Sequence, residues 1–315
     1  MSVETSNRSA AGEEITFESD GCPLAGTYVQ VPDPMAAALL IVGSGRTDRN
    51  SDVRLPAGQK LRGGITRAVA EALAAIGVST LRYDKRGVGA SGGDYLTTGM
   101  PQRLADSQAG LQWLSARSAG LPLLAIGHSE GTYYAAQLAG EGGVAGAALL
   151  SGSVRTGGDV LTWQTQQLAD KLPRSARLIL RLMRTDVIKS QRKNQDKIMA
   201  SSADVIRMQG VRVNARWVRD FVRYDPALAL AQVTVPVLAI TGGHDLQVPP
   251  ADVEAMGKLV RGPFEGHVVG DLSHLLRPDP DSVGPRGYRR ATRQPVSPQV
   301  LDLITAWVQG RWGRT

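Results

Sequence analysis

The stretch Leu123-Leu124-Ala125-Ile126-Gly127-His128-Ser129-Glu130-Gly131-Thr132-Tyr133-Tyr134-Ala135-Ala136-Gln137-Leu138-Ala139-Gly140 decides how this chain is read. It opens with an apolar run too short for a helix, closes with a run compatible with one, and carries Gly-x-Ser-x-Gly between them. That is the order of a buried strand, a tight turn and a helix. A serine on such a turn stands at the carboxyl end of its strand, and glycines on either side leave room for neighbouring backbone. The pattern alone is weak, because with 36 glycines in 315 residues roughly 0.3 chance matches are expected. A second match, Gly89-Ala90-Ser91-Gly92-Gly93, lies in a glycine-rich loop with no helical pattern after it. Context therefore selects Ser129 as the candidate nucleophile, the competing reading being a structural helix cap.

Working outward, similar short apolar runs recur at 37–42, 78–83, 146–152 and 236–242, separated by helical patterns at 66–75 and 101–117. Strands alternating with helices predict an α/β fold with a mostly parallel sheet covered by helices on both faces, and place functional groups in loops after the strands' carboxyl ends. Residues 15–31 read as an antiparallel hairpin turning at Asp20-Gly21, and 297–312 as a closing amphipathic helix. The rhythm breaks at 154–225, which holds two or three helical stretches and 15 Lys/Arg against 7 Asp. Residues 1–153 and 226–315 are expected to form one core and 154–225 an inserted cap. Within the insert, Arg174, Arg177, Arg181 and Arg184 share one helical face. Residues 277–298 read as a Pro/Arg-rich loop.

The net charge of +7 thus belongs to one segment, and solvated helix faces account for it more simply than a polyanionic partner does. With 5% aromatic residues there is little to stack on bases, so nucleic-acid binding is not expected. No apolar run approaches a membrane span, no leader-like segment opens the chain, and a single cysteine, Cys22, cannot form an internal disulfide. The expected location is the cytoplasm. Four scattered histidines argue against a metal site, and no cofactor is expected.

A serine hydroxyl is a poor nucleophile at neutral pH. It needs an imidazole within hydrogen-bond reach and a carboxylate to hold that imidazole's tautomer. His128 adjoins the nucleophile and points elsewhere, His267 sits in the strand Gly-His-Val-Val-Gly, and His244 precedes a candidate acid. His274, in the loop after the last strand, is the expected base. Asp245, directly after the strand at 236–242, is the expected acid. Asp159 is its main rival, and Asp271 is too close along the chain to orient His274. Two backbone N–H groups should bind a developing oxyanion: that of Glu130, and that of Ser44 in the loop Gly43-Ser44-Gly45, with Gly45 as the alternative. The charges Arg82, Asp84, Lys85 and Arg86 read as a loop held by salt bridges, and Trp163 and Trp217 as core residues of the insert.

Taken together, Gly43–Asn50, Arg82–Gly93, Gly127–Gly131 and Gly242–Pro249 resemble the α/β-hydrolase superfamily, in particular a bacterial branch of serine esterases and acyl hydrolases with serine aminopeptidase-like relatives. The resemblance implies an eight-stranded α/β-hydrolase sheet with a helical cap. It also implies hydrolysis of a small-molecule ester or thioester through an acyl-enzyme. Three other readings stay open: an acyl-CoA hydrolase, a serine peptidase, and a catalytically silent binding protein of the same fold.

Overall fold

The computed structural model describes residues 12–54, 60–118, 120–171, 175, 186–278 and 284–313. In chain order the described strands are β1 (Glu13–Ser19), β2 (Cys22–Val29), β3 (Ala36–Ile41), the two-residue β4 (Val53–Arg54) and β5 (Lys60–Leu61), and β6 (Val78–Tyr83). They continue as β7 (Leu123–His128), β8 (Gly146–Leu150), β9 (Val205–Met208), β10 (Val211–Asn214), β11 (Val237–Gly242) and β12 (Phe264–Val269). The described helices are α1 (Ile65–Ala75), α2 (Met100–Arg117), α3 (Gly131–Gly140), α4 (Gly157–Asp170), α5 (Val187–Met199) and α6 (Ala215–Arg223). After them come α7 (Pro226–Leu230), α8 (Asp252–Leu259), α9 (Gly284–Ala291) and α10 (Pro298–Trp312).

Eight strands form one sheet in the order β1-β2-β6-β3-β7-β8-β11-β12. β1 and β2 are antiparallel and joined at Asp20-Gly21, whose φ values of 47° and 70° suit the tight turn that matches strand twist. β2 is antiparallel to β6, and every later pairing is parallel. The central strands are buried on both faces, which is why Ala36–Ile41 and Gly146–Leu150 read as continuous apolar runs rather than alternating ones. On one face α1 and α10 bury Ile65, Leu73, Val300, Ile304 and Trp307 against β3, β7, β8 and β11. On the other, α2, α3, α7 and α8 bury Leu111, Leu114, Leu138, Leu230 and Met256. This is the α/β-hydrolase architecture, and it leaves the loops after β3, β7, β11 and β12 gathered at one sheet edge.

Two local expectations are corrected. The segment 154–225 contains the hairpin β9–β10 as well as helices, because Val205, Ile206, Val211 and Val213 favour strand over helix and Gln209-Gly210 turns with positive φ at both residues. Residues 284–291, read within a loop, form α9. Pro285 sits in its first turn, where no intrahelical N–H is needed, and Ala291 is buried beneath its last. The arginine face at 174, 177, 181 and 184 lies outside the described residues.

Candidate active site

Ser129 stands between β7 and α3 with φ at 55°, a left-handed conformation that costs a non-glycine residue about 1–2 kcal/mol. The strain is held by its surroundings. The Ser129 N–H donates to Leu150 O at 2.9 Å, and Ser129 O accepts from the Thr132 N–H at 3.0 Å and the Thr132 hydroxyl at 2.6 Å. Side chains at 127 and 131 would overlap the carbonyl groups of Gly131 and Ile41, so both flanking glycines are sterically required.

His274 lies in the loop after β12, with its Nδ1 2.8 Å from Asp245 Oδ2 and 3.1 Å from Oδ1. The Asp245 carboxylate is fully buried in the turn after β11 and accepts the backbone N–H groups of Gln247 (2.7 Å) and Val248 (3.0 Å). An acceptor-only carboxylate makes Nδ1 the protonated nitrogen of a neutral His274 ring, leaving Nε2 as a base. The loop is tied down by His274 O, which accepts from His128 Nε2 at 2.9 Å and from the Ser151 hydroxyl at 3.4 Å. Because its partner there is a carbonyl, His128 Nε2 carries the proton. Burial, with the His274 charge second, lowers His128 to about 3 and keeps it neutral.

Two cavities meet at Ser129. One, of about 190 Å³, is lined by Ser129, His274, Gly43 and Ser44 together with Val53, Leu61, Ile65 and Leu275. The other, of about 90 Å³, shares Ser44, Ser129 and Gln247 with the first and adds Glu130, Tyr133, Leu161, Trp217 and Phe221. Ser129 and Ser44 line both cavities, His274 lines the first and Glu130 the second, with Asp245 behind the imidazole. Asp159 is exposed and bonded to Thr156, Asp271 is exposed, and neither lines either cavity. His244 is exposed and His267 pairs with Glu265. Ser91, the serine of the second Gly-x-Ser-x-Gly, donates to Asp84 O at 2.6 Å and accepts the Ala25 N–H at 2.9 Å, a loop-bracing role.

The Glu130 side chain, 2% exposed, is the centre of a buried polar cluster. It accepts Arg103 Nη1 at 2.8 and 2.9 Å, the Tyr134 hydroxyl at 2.5 Å and Trp217 Nε1 at 3.0 Å. Burial works to raise its carboxyl, but Arg103 and Lys85 outweigh it and hold the group below the ordinary glutamate value. Sequence reasoning missed Arg103. Its one signal was position: it lies on the α2 stripe of Met100, Ser107, Leu111 and Leu114, all buried, where a lone arginine needs a buried anion. Trp217, read as core, in fact lines the smaller cavity, whereas Trp163 lines neither. Asp84 and Arg86 do brace their loop through Arg49 and Asp106, but Lys85 bonds backbone carbonyls instead.

Among the described residues no group of three or more His, Cys, Asp or Glu is placed to hold a metal ion, and no helix is long and apolar enough to cross a membrane.

The chain is similar to the esterase EstD of Thermotoga maritima, at 22% identity over 303 residues, covering 94% of this chain and 67% of that protein. Among solved structures it is similar to the Pyrococcus furiosus esterase Pf2001, with a TM-score of 0.63 and 16% identity over 96% of this chain and 91% of that one. It is also similar to Est1E of Butyrivibrio proteoclasticus, solved with ferulic acid bound, with a TM-score of 0.58 and 17% identity over 94% of this chain and 96% of that one. At such identities the structural likeness shows the fold. Residues 58–281, well over half of the chain, match the family described as serine aminopeptidase, S33, and the chain belongs to that family of α/β-hydrolase enzymes.

Proposed function

We propose that this enzyme hydrolyses carboxylic esters of small molecules through an acyl-enzyme on Ser129. The observation that carries the reading is a strained serine lining the same cavity as an imidazole whose Nδ1 is held by a buried carboxylate at 2.8 Å. His274 Nε2 takes the Ser129 proton as the oxygen attacks the acyl carbon, and returns it to the departing alkoxide. Asp245 holds the tautomer and stabilises the imidazolium. The amides of Glu130, at the start of α3, and of Ser44 bind the oxyanion, and water then repeats the sequence to release the acid. The segment 154–225 acts as the cap: Leu161, Trp217 and Phe221 from it close the smaller cavity over Ser129.

The two cavities are both small against those that hold drug-sized ligands, which run to about 300–1,000 Å³. Short acyl and alcohol groups fit this best. A fluorophosphonate probe should label the wild-type protein and leave Ser129→Ala unlabelled, and p-nitrophenyl butyrate should turn over faster than an acyl-CoA or an aminoacyl amide. A folded wild type that neither labels nor turns over any of the three would leave a binding protein as the better reading. Preference for the acyl-CoA or the amide would replace ester hydrolysis by thioester or peptide cleavage at the same site.

A further inference from the structure

Lys85 follows β6 and is 6% exposed, a costly place for an ammonium group. Its Nζ donates to Gly43 O at 2.5 Å and to Gly45 O at 2.6 Å, the carbonyls on either side of Ser44. Among the described residues no carboxylate is bonded to it directly. The charged groups acting on it are Arg103 on α2 and Glu130 on the Ser129 turn. Burial, then Arg103, lowers the amine to about 7, and either protonation state keeps the two N–H bonds the carbonyls require.

The geometry of the peptide unit gives this contact a consequence. In a planar trans peptide the C=O and N–H vectors point in opposite directions. Pinning Gly43 O to Lys85 therefore turns the N–H of Ser44, the other half of that peptide, away from Lys85, and Ser44 lines both cavities at Ser129. The Gly45 N–H belongs to the Ser44 carbonyl's peptide, to which Lys85 makes no bond, so Lys85 favours Ser44 over Gly45 as donor. We propose that Lys85 is a positioning residue for the oxyanion site, locking the Gly43–Ser44 peptide so that the Ser44 amide faces the oxygen of the tetrahedral intermediate. The inference rests on Ser129 being the nucleophile. Glu130, whose own amide is the other donor, is held from below by Arg103, so both donors hang from one buried cluster running Lys85, Glu130, Arg103.

The test compares full-length wild type with Lys85→Met, similar in volume but unable to donate, and Lys85→Gln, which keeps two N–H donors on a shorter stem. Each is assayed for kcat and KM on p-nitrophenyl butyrate, for inhibition by an aryl trifluoromethyl ketone, which forms an oxyanion on adding to serine, and for Tm. Removing an oxyanion donor costs about 10²–10³ in kcat, so misdirecting one should cost Lys85→Met about 30-fold, with KM within about threefold of wild type. Ketone affinity should fall by the same factor as kcat/KM, and Lys85→Gln should lie between the two. A folded Lys85→Met with kcat within about threefold of wild type, or with kcat reduced but ketone affinity unchanged, overturns the inference. If Lys85→Met does not fold, Lys85→Gln decides by the same two readouts. Wild type that fails to label at Ser129 sinks this inference together with the proposed function, whereas labelled wild type beside an unaffected variant sinks this inference alone.

Discussion

Replacing Arg103 by Met tests whether the buried cluster beneath Ser129 is held together by charge. The guanidinium and the Glu130 carboxylate are 3% and 2% exposed and meet at 2.8 Å, both bonds running from Nη1, while Nη2 has no hydrogen-bond partner among the described residues. Removing one partner of such a pair costs about 3–5 kcal/mol, because the remaining charge stays buried. Glu130 keeps the Tyr134 hydroxyl and the Trp217 N–H, and Met fills most of the vacated space, so the lower end, about 3 kcal/mol, is expected. At roughly 2 °C per kcal/mol for a chain of this size, Tm should drop by about 6 °C.

The pH dependence carries the sign. In wild type Glu130 titrates below its ordinary value, so its contribution is complete above the unfolded value and is lost only as pH falls through the depressed folded one. Without Arg103, burial dominates and the folded value rises above the unfolded one. The folded state then binds the proton more tightly, so the variant's deficit against wild type shrinks as pH falls from 8 towards 5. Urea unfolding at pH 8 and pH 5 measures this directly. In the double variant Arg103→Met/Glu130→Gln, which removes the orphaned charge, about half the loss should return at pH 8. A deficit under about 1 kcal/mol, or one equal at both pH values, refutes the reasoning.

Two further outcomes follow from the same structure. Ser91→Ala should lose about 2 kcal/mol in urea unfolding, since it strands the Ala25 N–H and the Asp84 carbonyl, while fluorophosphonate labelling stays at wild-type stoichiometry; lost labelling would mean that the wrong Gly-x-Ser-x-Gly has been chosen. Asp245→Asn should fold, keep its KM and lose about 10³–10⁴ in kcat on p-nitrophenyl butyrate, because an amide facing His274 Nδ1 no longer fixes the tautomer; a loss under tenfold would remove Asp245 from its role.

How far the chain could be read without coordinates depended on whether each signal was local. The strand, turn and helix around Ser129 were legible because each rests on neighbours in sequence: apolar runs for β7, glycines that only a close backbone approach explains, a helical pattern for α3. The sheet's central strands and α1, α2 and α10 were legible for the same reason, whereas α7 and α8 were not read from the sequence. Failures clustered where local preference is ambiguous, at the β9–β10 hairpin and at α9, whose Pro and Arg content resembles a loop until Ala291 finds a buried seat.

For the candidate site, the sequence alone put Ser129, Asp245 and His274 in loops after three apolar strands, β7, β11 and β12, and parallel βαβ units bring such carboxyl-end loops to one edge. Only the folded chain separates Asp245 from Asp159, since the choice is one of distance and burial: one carboxylate is sealed against an imidazole and the other accepts the Thr156 hydroxyl in the exposed first turn of α4. Only the folded chain, too, turns Lys85 and Arg103 from two ordinary surface-type residues into buried cations around Ser44 and Glu130. Residue type and spacing determine which elements form, because hydrogen bonding and hydrophobic period act between near neighbours. Which distant charges are removed from water together is set by tertiary packing, and with it the electrostatics beneath Ser129.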